Sequence, residues 1–154
     1  MAKSHRKLVA DNRKARHNYF IEDKMEAGLV LKGTEVKALR EGRAHLKDAH
    51  ARIKNGEVFV YQMHIGPYTH AYFDNHEAQR PRKLLLHNHE IKQLIGKVNE
   101  QGFSLIPLDI YFRDGKAKIT LALAKGKRKY DKRESIRQRD EQRIEQRSRK
   151  EHGF

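Results

Sequence analysis

Residues 103–124 read Phe103-Ser-Leu-Ile-Pro-Leu-Asp-Ile-Tyr-Phe-Arg113, then Asp114-Gly115, then Lys116-Ala-Lys-Ile-Thr-Leu-Ala-Leu-Ala124. Ile119, Leu121 and Leu123 alternate with Thr120 and Ala122, which is the two-residue period of a strand with one apolar face. Asp-Gly between two such runs marks a hairpin, because a tight turn needs residues that accept positive φ. The pattern recurs where Ala49–Lys54 and Glu57–Ile65 flank Asn55-Gly56, and Gly66-Pro67 closes that second hairpin.

Working outward, His17–Glu22 and Glu26–Leu31 read as two further strands, with Gly28 a bulge or a point of close approach. Gly33-Thr34 opens a short helix in which Thr34 caps, Glu35 meets the positive end, Val36 and Leu39 face inward, and Gly42 stops the helix. Residues 69–79 are polar and read as a loop, and the run Arg82-Lys-Leu-Leu-Leu86 follows. The clearest helix starts at the cap Asn88, carries Ile91, Leu94, Ile95 and Val98 at helical spacing, and ends at Gly102. About six strands with two to three helices predict a mainly β protein. The preferred form is a small closed antiparallel barrel of the oligonucleotide-binding (OB-like) type, since closure removes exposed edges. A split β-α-β layer is the alternative.

The apolar residues set the boundaries. Residues 127–154 hold only Ile136, Ile144 and Phe154 of the Leu, Ile, Val and Phe set, too few for a core. Three parts are expected: a flexible basic N-terminal arm at 1–11, the barrel at 12–126, and a basic C-terminal tail at 127–154.

Charge points to the partner. There are 34 Lys plus Arg against 20 Asp plus Glu, a formal net charge of +14, which predicts a polyanion. With no cysteine, thiolate zinc sites, iron–sulfur clusters and cysteine nucleophiles are excluded. No phosphate loop or Gly-x-Ser-x-Gly motif is present. His87 and His89 form the tightest histidine pair, but no third ligand follows at metal spacing. No enzyme activity, metal or cofactor is expected. No apolar run reaches membrane-spanning length, and the basic N-terminus is followed by no apolar signal-peptide stretch, so no membrane partner and a cytoplasmic location are expected.

The cations cluster at Asn12–His17, at Arg80–Lys83 and at Lys125–Tyr130, each beside an apolar run that can hold it. Gly126 among lysines permits close approach of backbone to a phosphate. RNA is favoured over duplex DNA, because no helix-turn-helix, zinc-finger or basic-zipper pattern is present. The tail is arginine-rich, with i, i+4 pairs such as Arg137 with Glu141. It is expected to be disordered when free and helical against RNA.

Several motifs occur in order: Asn12-Arg-Lys-Ala-Arg-His17, Glu26-Ala-Gly28, Gly33-Thr-Glu-Val-Lys37 with Leu39-Arg-Glu-Gly42, Arg82-Lys-Leu-Leu-Leu86, Lys125-Gly-Lys127 and Asp131-Lys-Arg133. Together they resemble the SsrA-binding protein (SmpB) family. The resemblance implies an RNA-binding adaptor that takes the tRNA-like domain of transfer-messenger RNA to stalled ribosomes for trans-translation. Elongation factor Tu with GTP would be the carrier, and the protein itself a bacterial monomer. Asn12, His17, Glu26, Lys37, Leu85 and Lys118 would belong to the RNA-binding surface, joined by Arg13, Lys14, Arg82, Lys83, Lys125, Gly126 and Lys127 from the basic clusters. Tyr130, Asp131, Lys132, Arg133 and Arg137 would be ribosome contacts of the tail, which would occupy the vacant decoding site and mRNA channel and become helical there. Alternatives stay open at three positions: Asn12 as a helix cap, Glu26 as an ordinary strand carboxylate, and Leu85 as core.

Overall fold

The computed structural model describes residues 6–71, 75–127, 133 and 136–144. Its elements run β1 (Arg6–Asp11), α1 (Arg13–Asn18), β2 (Tyr19–Leu29), α2 (Gly33–Arg40), β3 (Ala44–His45), β4 (His50–Lys54), β5 (Glu57–Tyr61), β6 (His64–Ile65), β7 (Arg82–Leu85), α3 (Asn88–Gln101), β8 (Ser104–Arg113) and β9 (Lys116–Gly126). The fold is mainly β with a few helices. Antiparallel pairings run β8–β4–β5–β7–β2–β9 and return to β8, while β1 adds to β8 beside β4. Inside the ring lie Val58, Val60, Ile110, Ile119, Leu121 and Leu123, all fully buried. Burial of each such side chain stabilises the fold by about 1.5–3 kcal/mol.

Both hairpins form at the dipeptides that predict them. Asn55 and Gly56 have φ of 53° and 74°, and Asp114 and Gly115 have 50° and 79°, as a tight two-residue turn demands. The second turn sets the long β8–β9 ladder, from Arg113↔Lys116 to Ser104↔Ala124.

Five expectations about the elements are corrected, the first at α3, where His87 and not Asn88 takes the cap position and its backbone N–H donates to Glu90 Oε1 at 3.1 Å. The N-terminal arm is not wholly loose: residues 6–11 form β1, paired from Arg6↔Arg113 to Asp11↔Asp109. Val9 and Ala10 pack on the core, and β4 occupies the same edge of β8 only at Leu105, so the rest of that edge is open to β1. The two strands expected at 17–22 and 26–31 are one eleven-residue strand, because the polar stretch between them pairs with β9 through an irregularity between Ile21 and Asp23. The run 57–65 breaks after Tyr61, since Gln62 turns at φ 59° and Met63 O is taken by Arg82 Nη1 at 2.5 Å. Finally, Thr34 does not cap α2; Lys32 takes that position, and the Thr34 hydroxyl bonds His76 Nδ1 at 2.9 Å.

The largest departure concerns Arg82. The sequence places it in a phosphate-binding cluster, yet its side chain is completely buried. Its Nε donates to Glu35 Oε2, and its Nη2 donates to Ala78 O at 3.0 Å and Glu77 O at 3.4 Å. Glu35 is equally buried and accepts from Arg80 Nη2 at 2.5 Å and Lys32 N at 2.8 Å. Burial alone would raise the Glu35 pKa, but the bonds from Arg80, Lys32 and Arg82 together hold it below the ordinary carboxylate value. Arg82 is a structural cation, each of whose three nitrogens already donates within the protein.

Glu35 carries two stability predictions, one for its removal and one for its titration, with an exposed ion pair as the control. Glu35→Ala leaves a buried guanidinium without its anion and should cost about 3–5 kcal/mol in urea unfolding. Removing the exposed pair Lys83–Glu57 with Lys83→Ala should cost less than about 1 kcal/mol. Because the folded pKa of Glu35 is depressed, its contribution is full above the ordinary carboxylate value and is lost as pH falls through the lower folded one. Acid titration of stability should show that loss in the native chain, and Glu35→Gln should remove that step.

Candidate RNA-binding cleft

β2, β7 and β9 bring three of the sequence-predicted residues to one cleft of about 370 Å3, lined by Glu26, Gly28, Leu85, Leu86, His87, Glu90 and Lys118. The register explains the meeting. Gly28 of β2 pairs with Lys118 on one side and with Leu85 on the other, and Glu26 pairs with Thr120. A Cβ at Gly28 would lie 3.2 Å from Leu85 Cβ, so glycine lets the Leu85 side chain lean across β2. Leu84 is 2% exposed and Leu85 55%, which resolves Leu85 as an outward-facing residue rather than core.

Glu26 does not stand alone. Its Oε2 accepts from Tyr111 Oη at 2.5 Å and from Arg113 Nη1 at 2.5 Å. The Tyr111 ring has the Arg6 guanidinium 4.0 Å from its centroid and that of Arg113 at 5.8 Å. Burial first, then the Glu26 carboxylate, pushes the Tyr111 pKa up to about 12, so the phenol remains a donor at neutral pH. The carboxylate is therefore oriented by two donors while its side chain stays 31% exposed. Its remaining lone pairs can accept from a ribose 2′-hydroxyl or a base N–H. Lys118 brings an ammonium-bearing side chain to the same cleft, and Leu85 an apolar surface. His87 and His89, stacked with centroids 5.5 Å apart, lie where α3 begins.

The other predicted residues lie elsewhere. Asn12 is a buried cap: its Oδ1 accepts from Ala15 N at 3.1 Å and its Nδ2 donates to Pro107 O at 2.9 Å, so its amide is committed to holding α1 on β8. Arg13, Lys14 and His17 are on α1, with Lys14 paired to Asp48 at 3.2 Å. Lys37 is exposed on α2, 5.4 Å from the Tyr68 ring centroid, and Lys83 pairs with Glu57. Lys125, Gly126 and Lys127 mark the end of β9, where Lys127 N donates to Asn18 O at 2.7 Å. In the tail, Arg133 and residues 136–144 are helical, Arg137 faces Glu141 at 3.7 Å, and Arg139 Nη2 lies 3.1 Å from His17 Nδ1. Tyr130, Asp131 and Lys132 lie outside the described residues.

Sequence reasoning missed Tyr111, Arg113 and Arg6. The signal for the first two was present, because Tyr111 and Arg113 alternate with the core residues Ile110 and Phe112. Arg6 depends on the unexpected pairing of β1. Among the described residues no group of three His, Cys, Asp or Glu could hold a metal ion, and no helix is long and apolar enough to cross a membrane.

Comparison with known proteins places the chain in a family. The family described as "SmpB protein" matches residues 9–151. The SsrA-binding protein of Syntrophobacter fumaroxidans is 60% identical over 144 residues, covering 94% of this chain and 89% of its own. That of Halothermothrix orenii is 52% identical over 151 residues, covering 98% and 97%. A solved structure described as "tmRNA-SmpB: a journey to the center of the bacterial ribosome" superposes with a TM-score of 0.66 at 44% identity, covering 88% of this chain and 96% of its own. With the family match spanning nearly the whole chain and these relatives agreeing over nine-tenths of it, the chain belongs to the SmpB protein family.

Proposed function

We propose that this chain binds the tRNA-like domain of transfer-messenger RNA and delivers it to stalled ribosomes in trans-translation. The observation that carries this reading is the convergence of Glu26, Leu85 and Lys118 in one open cleft, in a chain of this family. The names of its relatives and the solved structure with transfer-messenger RNA support the same partner. The six strands whose pairings close on themselves support an OB-like barrel as the platform. The cleft orients RNA through the Glu26 carboxylate, with Lys118 on a phosphate and Leu85 under an unstacked base. Lys37, Lys83, Arg13 and Lys14 add cations on other parts of the surface, with His17 beside the last two on α1. No bond is made or broken by the protein. It acts as a monomeric cytoplasmic adaptor, with elongation factor Tu and GTP joining through the RNA.

The tail has a separate task in this reading. Its arginines meet ribosomal RNA in the vacant decoding site and mRNA channel, where Tyr130, Asp131, Lys132, Arg133 and Arg137 make the first contacts. The helix over 136–144 supports a helical conformation there, and pairs such as Arg137–Glu141 stabilise it by roughly 0.2–0.5 kcal/mol each.

Two experiments separate the parts. Lys118→Ala should weaken binding to the isolated tRNA-like domain and lower the slope of log K against log salt by about one phosphate contact. An unchanged slope would remove Lys118 from the interface. Truncation after Tyr130 should leave that binding nearly intact while abolishing tagging on stalled ribosomes; RNA binding that collapses with the tail would overturn the division.

A further inference from the structure

The far end of β2 presents a second constellation. Tyr19 pairs with Gly126 and Phe20 with Lys125. Phe20 is 52% exposed, and the Lys127 Nζ lies 5.0 Å from its ring centroid. Next to it the Lys125 Nζ lies 4.8 Å from the Phe103 ring centroid. Gly126, between the two lysines, leaves bare backbone: a Cβ there would meet nothing nearer than the Tyr19 ring at 4.0 Å. The strand end therefore combines one open aromatic face, two ammonium groups on flexible stems and an uncovered peptide.

We propose that this strand end is a second nucleic-acid site, in which Phe20 stacks an unpaired base of single-stranded RNA and Lys125 and Lys127 hold the flanking phosphates. The reading rests on the chain meeting RNA, as above, and adds a site that the cleft does not contain. Phe20 and Glu26 are six positions apart on one strand, roughly 20 Å at strand rise. A ring whose face already attracts an ammonium is reachable from solvent, and a base can take that place while the lysine moves to a phosphate. Phenylalanine has no hydrogen-bonding group, so the site takes any base and favours purines for their larger face. Its position matters, since Lys127 is the first residue beyond β9 and is tied to Asn18.

The chain has no tryptophan, so Phe20→Trp introduces a single fluorescent reporter. Titration with an oligoadenylate of roughly eight nucleotides should quench its emission, whereas an abasic strand of equal length, which has phosphates only, should not. Phe20→Ala should weaken anisotropy-measured binding of the same oligoadenylate about tenfold, with Phe20→Tyr restoring most of it. Quenching that is absent or equal with the abasic strand overturns the proposal, as does undiminished binding by Phe20→Ala. The tryptophan titration decides alone if Phe20→Ala fails to fold. The oligoadenylate has no tRNA-like fold, so this result stands apart from the Lys118 test on the cleft.

Discussion

Glu35 and Arg82 meet in the interior with no exposed surface on either side chain, and much of the molecule is arranged around their contact. Arg82 ties β7 to α2 through Glu35, to the turn between β5 and β6 through Met63 O, and to the loop before β7 through Glu77 O and Ala78 O. Two charges out of water are costly, so the site is stable only because the donors and acceptors are paired. The pair also sets a register. With Arg82 inward, alternation along β7 puts Leu84 inward and Lys83 and Leu85 outward. A slip by one residue would bury Leu85 and turn Arg82 to solvent. The exposure of the cleft's apolar wall thus depends on an ion pair on the other side of the strand.

The cations divide by what already holds them. Arg82 is spent on the interior, and Arg6 and Arg113 flank Tyr111 and pair with Asp109 and Glu26. These arginines fix carboxylates in place. Lys37, Lys125 and Lys127 instead place their ammonium groups over the Tyr68, Phe103 and Phe20 rings, and Lys118 lines the cleft. In a chain with net charge +14, the arginines thus serve to hold carboxylates while the lysines carry charge to the rings and the cleft.

Much of the fold was legible because it rests on local chemistry. Asn55-Gly56 and Asp114-Gly115 specify their turns by φ alone, and α3 follows from the spacing of Ile91, Leu94 and Val98. The cleft was legible through resemblance at Glu26, Leu85 and Lys118. What stayed hidden depends on partners distant in sequence. β1 is a strand only because β8 has an open edge, and the polar middle of β2 is strand only because β9 pairs with it. Asn12 and Arg82 look like surface polar residues in a basic run; their caps and ion pairs come from Ala15, Pro107 and Glu35, and the last two lie far along the chain.

The ring of strand pairings is not equally strong all round. β4 and β8 join through Ala51↔Leu105 only, while β9 is laddered to β2 and β8 along most of its length. The β4–β8 join lies opposite the β2–β7 pair, the one that carries Gly28 and Leu85, and that pair is lengthened by the Val30 N–Lys83 O bond of 3.1 Å. Local opening therefore has a preferred place, between β4 and β8 beneath α3. The most weakly laddered join thus lies across the ring of pairings from the strands that carry Gly28 and Leu85, so that local opening and the shape of the cleft are assigned to opposite walls of the same small structure.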